Sequence, residues 1–506
     1  IRLNKTHGAL VLSSKHHNLV NYSNQNITTK AVGSLKWSAL TEIAARTAQP
    51  IIFVVLARLL APTDFGVLAT AMIVISFVQM FWDAGLSKAL IQTKEVPENA
   101  AHVVFWTNLT LGIIIYTLLF AAAPYIAFFF KSPVTEPVLR VLGIQIIIAS
   151  LASVQQALFV RDLDFRGLFW IKLLTVFIPA LFSIPLALLG YGIWSLVTGT
   201  LAGQFFNLLL LWMRSPWRPE LKYDLKLAKK LMTFGIWILL GSLGSWLIMW
   251  VDNLIVGKFL GVYELGLYRI GWMSVTLIYG LVLNPIMVVL YPTISRMQDN
   301  LPMLKDMIYK MNKIIISIAL PIGIGSLFIG KNAAVLLFGD KWLGLGFVFS
   351  ILAFREAISW ACGINSEVYK AIGKPDIIAK IEYALLLIII PIYFFSVKFG
   401  LEIFLFARLG VTVIGLFVHM KIFQHILNLS RDYLWQHMKM AMLSCVSMAI
   451  VLCISKELCS IKRLPGIVEL FMLSAIGICA YAATYWLLDR NFLIYAFKVV
   501  KRKAIA

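Results

Sequence analysis

The apolar positions of this chain fall in long unbroken runs with no alternation of period two, and polar residues collect in short segments between them. Crossing the hydrocarbon of a bilayer takes about 20 apolar residues as a helix, because each backbone N–H and C=O must find its partner within the segment. By that length the runs predict helical spans at about 37–59, 65–90, 101–129, 137–160, 167–189, 191–213, 233–257, 262–291, 311–337, 343–369, 377–397, 400–427, 433–454 and 465–488. The fold class expected is an all-α polytopic membrane protein of about fourteen transmembrane helices. An outer-membrane barrel is excluded, since it is built from alternating segments of about ten residues.

Two connecting segments repeat one another. Arg58, Leu60, Ala61, Asp64, Phe65 and Gly66 align without a gap on Lys258, Leu260, Gly261, Glu264, Leu265 and Gly266. A weaker echo pairs 160–165, after the fourth span, with 372–377, after the tenth. A repeat of this period predicts two homologous six-helix lobes, and an even number of spans per copy relates them by an axis along the membrane normal. The boundaries read as a polar N-terminal tail (1–33), lobe one (34–213), a cytoplasmic inter-lobe linker (214–232), lobe two (233–428), an appended helix pair (429–490) and a basic C-terminal tail (491–506). The Pro/Arg/Trp-rich start of the linker and the amphipathic 221–231 stretch are expected to lie on the membrane surface.

Composition narrows the class. The chain is 60% hydrophobic and 14% charged, whereas a soluble domain carries roughly 25% charged residues. A net charge of +21 invites a nucleic-acid reading, but the basic residues concentrate in alternate connections and in the tails. That is the positive-inside bias; it predicts both termini in the cytoplasm and leaves some cations for anionic headgroups. No nucleic-acid partner is expected. The five cysteines show no Cys-x-x-Cys pair and the histidines no ligand spacing, so no metal site or disulfide framework is indicated. No Gly-x-x-x-x-Gly-Lys-Ser/Thr loop occurs, and no connection longer than about twenty residues leaves room for a catalytic domain. The longest connection is expected around 291–312.

Lys36-Trp37-Ser38, Ala57-Arg58-Leu59-Leu60 with Asp64-Phe65-Gly66, and Phe81-Trp82-Asp83-Ala84-Gly85-Leu86 resemble the polysaccharide-export branch of the MOP superfamily. The nearest resemblance is to the Wzx-type lipid-linked oligosaccharide flippases, in the group for colanic-acid and lipopolysaccharide export. It covers roughly residue 26 to the C-terminus. The resemblance implies a non-enzymatic transporter of the bacterial inner membrane that moves an undecaprenyl-diphosphate-linked glycan to the periplasmic leaflet. Its implied partners are that lipid-linked oligosaccharide, membrane lipids and other polysaccharide-assembly membrane proteins. No cofactor is implied, and a proton or sodium gradient is the coupling to be considered. A multidrug exporter of the same superfamily would place acids, not arginines, deep in its lobes; a scaffold of a glycan-assembly complex would not move substrate at all.

Ionisable groups within spans cost from about 2.5 to over 10 kcal/mol at the bilayer centre unless they have a partner or a wet cavity. Arg46, roughly 14 Å into the first span, is read as a substrate-binding cation whose geometry Glu42 holds from one turn earlier. Arg355 lies at similar depth in the tenth span. Its neighbour Glu356 points about 100° away, so no pairing between them is expected and one must face another helix or water. Arg46 and Arg355 are the two basic residues counted within spans. Asp83 and Asp252, near the ends of the second and seventh spans, are read as interfacial or capping acids, with ion coupling the functional alternative. Arg58 and Lys258 are expected to snorkel or to cap helix ends. Trp246 and Trp250, one turn apart, are read as belt residues or as a platform for sugar rings. Prolines 50, 124, 179, 285, 321 and 391 are expected to interrupt their spans.

The charge asymmetry places the 131–140 and 456–463 connections outside. A cysteine introduced at Ser132 is therefore expected to react with an impermeant thiol reagent in intact cells, and one at Ser215 to be protected. The reverse pattern inverts the topology.

Overall fold

A computed structural model describes residues 49–83, 86–92, 97–297, 300–374, 376–429, 432–462 and 465–504. Among these residues the chain is predominantly helical, with no strand. Twelve helices are long and apolar enough to cross a membrane. Two further helices stand where the first and seventh spans are expected: α1 (Gln49–Leu59), the described part of the first, and the 35-residue α9 (Leu225–Phe259). The order between and after them is α2 (Pro62–Asp83), α3 (Leu86–Gln92), α4 (Pro97–Phe129), α5 (Thr135–Leu142), α6 (Ile144–Arg161), α7 (Phe165–Leu188), α8 (Ile193–Arg214), then α10 (Val262–Ser295), α11 (Leu301–Phe338), α12 (Leu345–Trp360), α13 (Asn365–Ala371), α14 (Asp376–Ser396), α15 (Leu401–Leu427), α16 (Tyr433–Lys462) and α17 (Gly466–Ala504).

Two expectations are corrected. The 291–312 connection is mostly helix: α10 runs to Ser295, and α11 starts at Leu301, where the Asn300 side chain accepts from Met303 N at 3.2 Å. A capping side chain satisfies an orphan backbone donor there and lets the helix begin outside the apolar run. The prolines of the spans lie inside helices, as α4, α7, α11 and α14 run through Pro124, Pro179, Pro321 and Pro391. The 221–231 stretch does not form a separate surface helix. It is extended to Asp224 and then becomes the first turns of α9, with Leu227, Ala228 and Leu231 packed against Leu86, Leu90, Ala100 and Val104.

The chain forms two compact units. One contains 75–123 and 137–243, the other 54–74, 124–136 and 244–506. In the first, α8 packs on α7 and α6, and α3 on α6. The linker is fastened to the start of α4: Glu220 N donates to His102 Nδ1 at 3.0 Å and Trp106 Nε1 to Glu220 O at 2.8 Å. In the second unit, α11 packs on α12, α16 and α17. Lys313 pairs with Asp489 and the Tyr481 hydroxyl donates to Ser317 O at 2.8 Å, which ties α17 to α11.

The repeated segments meet within the second unit. A Cβ on Gly66 would collide with the Val262 carbonyl, and one on Gly266 with the Pro62 carbonyl. Pro62 and Val262 are equivalent positions of the repeat, as are the two glycines, so the first turns of α2 and α10 make a reciprocal contact. Residues four apart lie on one helix face, and glycine there lets two backbones approach more closely than any side chain allows. The basic residues of the repeat are also reciprocal. Arg58 donates through Nε to Leu337 O at 2.8 Å and through Nη2 to Leu336 O, at the C-terminus of α11. Lys258 donates to Phe129 O at 2.8 Å, at the C-terminus of α4. Each cation therefore meets unpaired carbonyls at the negative end of a helix dipole. Trp342 completes the joint, donating from Nε1 to Ala57 O at 2.7 Å.

Ser132 and Ser215 are both buried, so the topology is better read at Val134, 48% exposed, and Leu221, 89% exposed. Gly66→Leu and Gly266→Leu are each expected to destabilise by about 1–3 kcal/mol or more, since overpacking here meets backbone. Gly325→Leu, where a Cβ meets open space, is the matched control with little change. Thermal unfolding in detergent measures all three, and equal losses at Gly66 and Gly325 would contradict the crossing.

Candidate functional site

The expected site residues divide by position. Glu42 and Arg46 lie outside the described residues, and Asp83 ends α2 with a side chain outside the description. Arg355 and Glu356, on α12, are partly buried, with side chains 22% and 23% exposed. They pair: Arg355 Nη1 donates to Glu356 Oε2 at 2.8 Å, while Nε donates to Thr412 Oγ1 of α15 at 3.0 Å. The expectation that neighbours on one helix cannot pair is thus overturned. It treated Cβ directions as decisive, whereas an arginine has three methylenes and a planar fork with which to reach sideways.

Arg355 lines a cavity of about 320 Å³ enclosed by α12 to α15. Its wall includes Glu382, Tyr393, Thr412 and His419; the non-helical break between α12 and α13 contributes Cys362 and Gly363, and the first residue of α13 contributes Asn365. Irregular backbone at membrane depth is tolerated where it borders protein or a wet cavity. The guanidinium is held at Nε by Thr412 and at Nη1 by Glu356, on two of its edges, which fixes its plane. The arrangement suits a group that needs an oriented cation, such as a phosphate or a carboxylate.

Asp252 departs from its expected interfacial or capping role. It is buried, and Arg408 Nη1 of α15 lies 2.5 Å from its Oδ2, with the two side chains 7% and 9% exposed. The same oxygen accepts from the Tyr268 hydroxyl at 2.6 Å, and Oδ1 accepts from Asn253 N and Nδ2 at 2.7 Å each. The carboxylate accepts three hydrogen bonds and is charge-paired with Arg408, whose buried Nε and Nη1 have no hydrogen-bond partner among the described residues. Counting only Arg46 and Arg355 within spans therefore left out Arg408, which lies inside the 400–427 run and was legible there. Arg269 was missed as well. Its guanidinium stacks between Trp250 at 4.8 Å and Trp272 at 4.9 Å, so the Trp250 face proposed for sugar is already engaged by a cation.

Breaking a buried ion pair leaves an uncompensated charge, at a cost of about 3–5 kcal/mol, while replacing both partners by apolar groups can be near neutral. Asp252→Leu and Arg408→Leu are each expected to lose about that much stability, and the double variant to lose less than either. Unfolding of the four proteins in detergent forms the cycle; additive losses would show that the pair is not coupled.

The family described as "Polysaccharide biosynthesis protein" matches residues 55–345, a stretch that includes both copies of the repeat. The succinoglycan biosynthesis transport protein ExoT of Rhizobium meliloti (strain 1021) is 25% identical over 351 residues, covering 69% of this chain and 70% of that protein. The lipopolysaccharide biosynthesis protein WzxC of Escherichia coli (strain K12) is 25% identical over 327 residues, 63% of this chain and 65% of its own length. Among solved structures, the lipid II flippase MurJ in an inward closed conformation superposes with a TM-score of 0.72 at 14% identity, covering 90% of this chain and 100% of that one. An inward-facing multidrug-resistance MATE transporter of the MOP superfamily gives 0.56 at 14% identity, over 76% of this chain and 95% of its own. These two likenesses describe the fold, a multi-pass helical membrane fold shared with transporters. With more than half of its length matched, this chain belongs to the polysaccharide biosynthesis protein family.

Proposed function

We propose that the chain flips a polyprenyl-diphosphate-linked oligosaccharide from the cytoplasmic to the periplasmic leaflet of a bacterial inner membrane, for surface-polysaccharide synthesis. The observation that carries this reading is the family match across both copies of the repeat, with transport named for the curated relative ExoT. The physical problem is desolvation. Moving a glycan headgroup through hydrocarbon strips water from the diphosphate and from every hydroxyl, at several kcal/mol for each group left unpaired. A wet, cationic path removes most of that barrier.

In this reading lobe one (34–213) and lobe two (233–428) alternate access, and both termini are cytoplasmic. Arg46 and Arg355 bind the diphosphate or acidic sugars, since guanidinium grips phosphate in bidentate fashion and keeps its proton in a low dielectric. Glu42 orients Arg46, and Glu356 orients Arg355. Coupling to a proton or sodium gradient through Asp83 or Asp252 remains part of the proposal; at Asp252 it requires release of Arg408, which already neutralises the carboxylate. Other membrane proteins of glycan assembly would supply and remove the lipid-linked substrate.

The test is transport by the purified chain in liposomes carrying a lipid-linked oligosaccharide. Arg46→Ala and Arg355→Ala are expected to reduce flipping by at least tenfold at normal membrane abundance. The lysine variants should recover part of it, because the charge persists without the planar fork, and Glu42→Gln should be milder than Arg46→Ala. Parental rates in both alanine variants would make these arginines structural.

A further inference from the structure

A second cavity, in the first compact unit, has a different chemistry. It has a volume of about 470 Å³, within the range of about 300–1,000 Å³ usual for small-molecule sites. Five side-chain amides line it: Gln79 from α2, Gln145 and Gln156 from α6, and Gln204 and Asn207 from α8. No Lys, Arg, Asp or Glu is among its described lining residues. On α6 the lining positions 145, 149, 152, 153, 156 and 160 recur at helical spacing, so one whole face of that helix looks into the cavity. Ala149 and Ala152 leave room between the two glutamines.

Amides inside an apolar bundle commonly hydrogen-bond across helices and so hold them together. Gln145 does otherwise. Its Nε2 is buried and has no hydrogen-bond partner among the described residues, and an unpaired amide away from water is unfavourable unless a ligand or water completes it. A primary amide offers two donors and an acceptor, which is the complement of a sugar hydroxyl, itself both donor and acceptor. A diphosphate finds no cation in this wall. We infer that this amide-lined cavity binds a neutral, hydroxyl-rich sugar unit of the glycan, as a site separate from the cationic one that takes the diphosphate. The inference rests on the flippase reading for its choice of ligand.

The structure thereby divides recognition of the substrate. The arginines hold the part common to every polyprenyl-diphosphate lipid, and the amides hold the part that differs between glycans. A uronic acid brought to the amide wall would leave its carboxylate without a counter-ion, so the cavity favours an uncharged ring.

The experiment is equilibrium binding to the detergent-solubilised full chain of three probes: bare polyprenyl diphosphate, the same lipid carrying a neutral disaccharide, and the same lipid carrying a disaccharide with one uronic acid. The neutral glycolipid should bind the parent protein about tenfold or more tighter than the bare lipid, as expected for a few net hydrogen bonds. Gln145→Leu/Gln156→Leu should abolish that advantage and leave the bare lipid within twofold. Gln204→Leu/Asn207→Leu, on another helix, should do the same. Gln145→Leu by itself should not lower the melting temperature, because its Nε2 has no partner among the described residues to lose; a structural role would lower it. Equal binding of the bare and neutral lipids by the parent, or an equal loss of both in the variants, overturns the amide site. Failure of the parent to flip any glycolipid in liposomes while this binding pattern holds would count against the flippase reading alone.

Discussion

The contact on which the rest of this fold depends is the meeting of two helix N-termini at glycine. Gly66 rests on the Val262 carbonyl and Gly266 on the Pro62 carbonyl, at a separation no Cβ could enter. In a bilayer two apolar helices gain little by leaving lipid for one another, because the tails are as apolar as the side chains. What favours association is close packing of backbone on backbone. Once α2 and α10 are fixed there, Arg58 and Lys258 come within reach of the carbonyl ends of α11 and α4, and Trp342 reaches Ala57. The cations then hold helix termini that the glycine contact alone would leave unpaired. This is also why the repeat conserves type at a few positions only: small where backbones touch, basic where a helix end needs a donor.

Charges elsewhere follow the low dielectric. Asp252 is charge-paired with Arg408 and bonded by Tyr268 and Asn253, Lys313 finds Asp489, and Arg269 is wedged between two indoles. Each is a cation or anion made tolerable by a specific partner. Arg355 is different in kind. Its neighbours fix the guanidinium, yet it still borders a cavity. Among charged groups, a partner that saturates indicates structure, and a partner that orients while leaving a face open indicates binding. The amide wall of the first unit applies the same distinction to neutral groups, where the sign of an open site is an amide with nothing to bond.

Composition and pattern alone establish the lipid surroundings, the helical class and the repeat. Runs of about twenty apolar residues admit one backbone solution in hydrocarbon, so their helical nature and their order along the chain are legible. Arg58, Lys258, Gly66 and Gly266 could be aligned because equivalent positions in a duplicated fold face the same physical demand. Arg408 is legible too, as a base within the 400–427 apolar run. What only the tertiary structure decided is which residues meet. Helical periodicity gives the direction of a side chain about its own axis, not the neighbour it finds. Hence Asp252 looked interfacial until α15 brought Arg408 to it. Arg355 and Glu356 looked divergent until the reach of the arginine was seen, and Trp250 looked available until Arg269 covered it. Partnering depends on how helices far apart in the chain cross, and that is set by packing that no local pattern encodes.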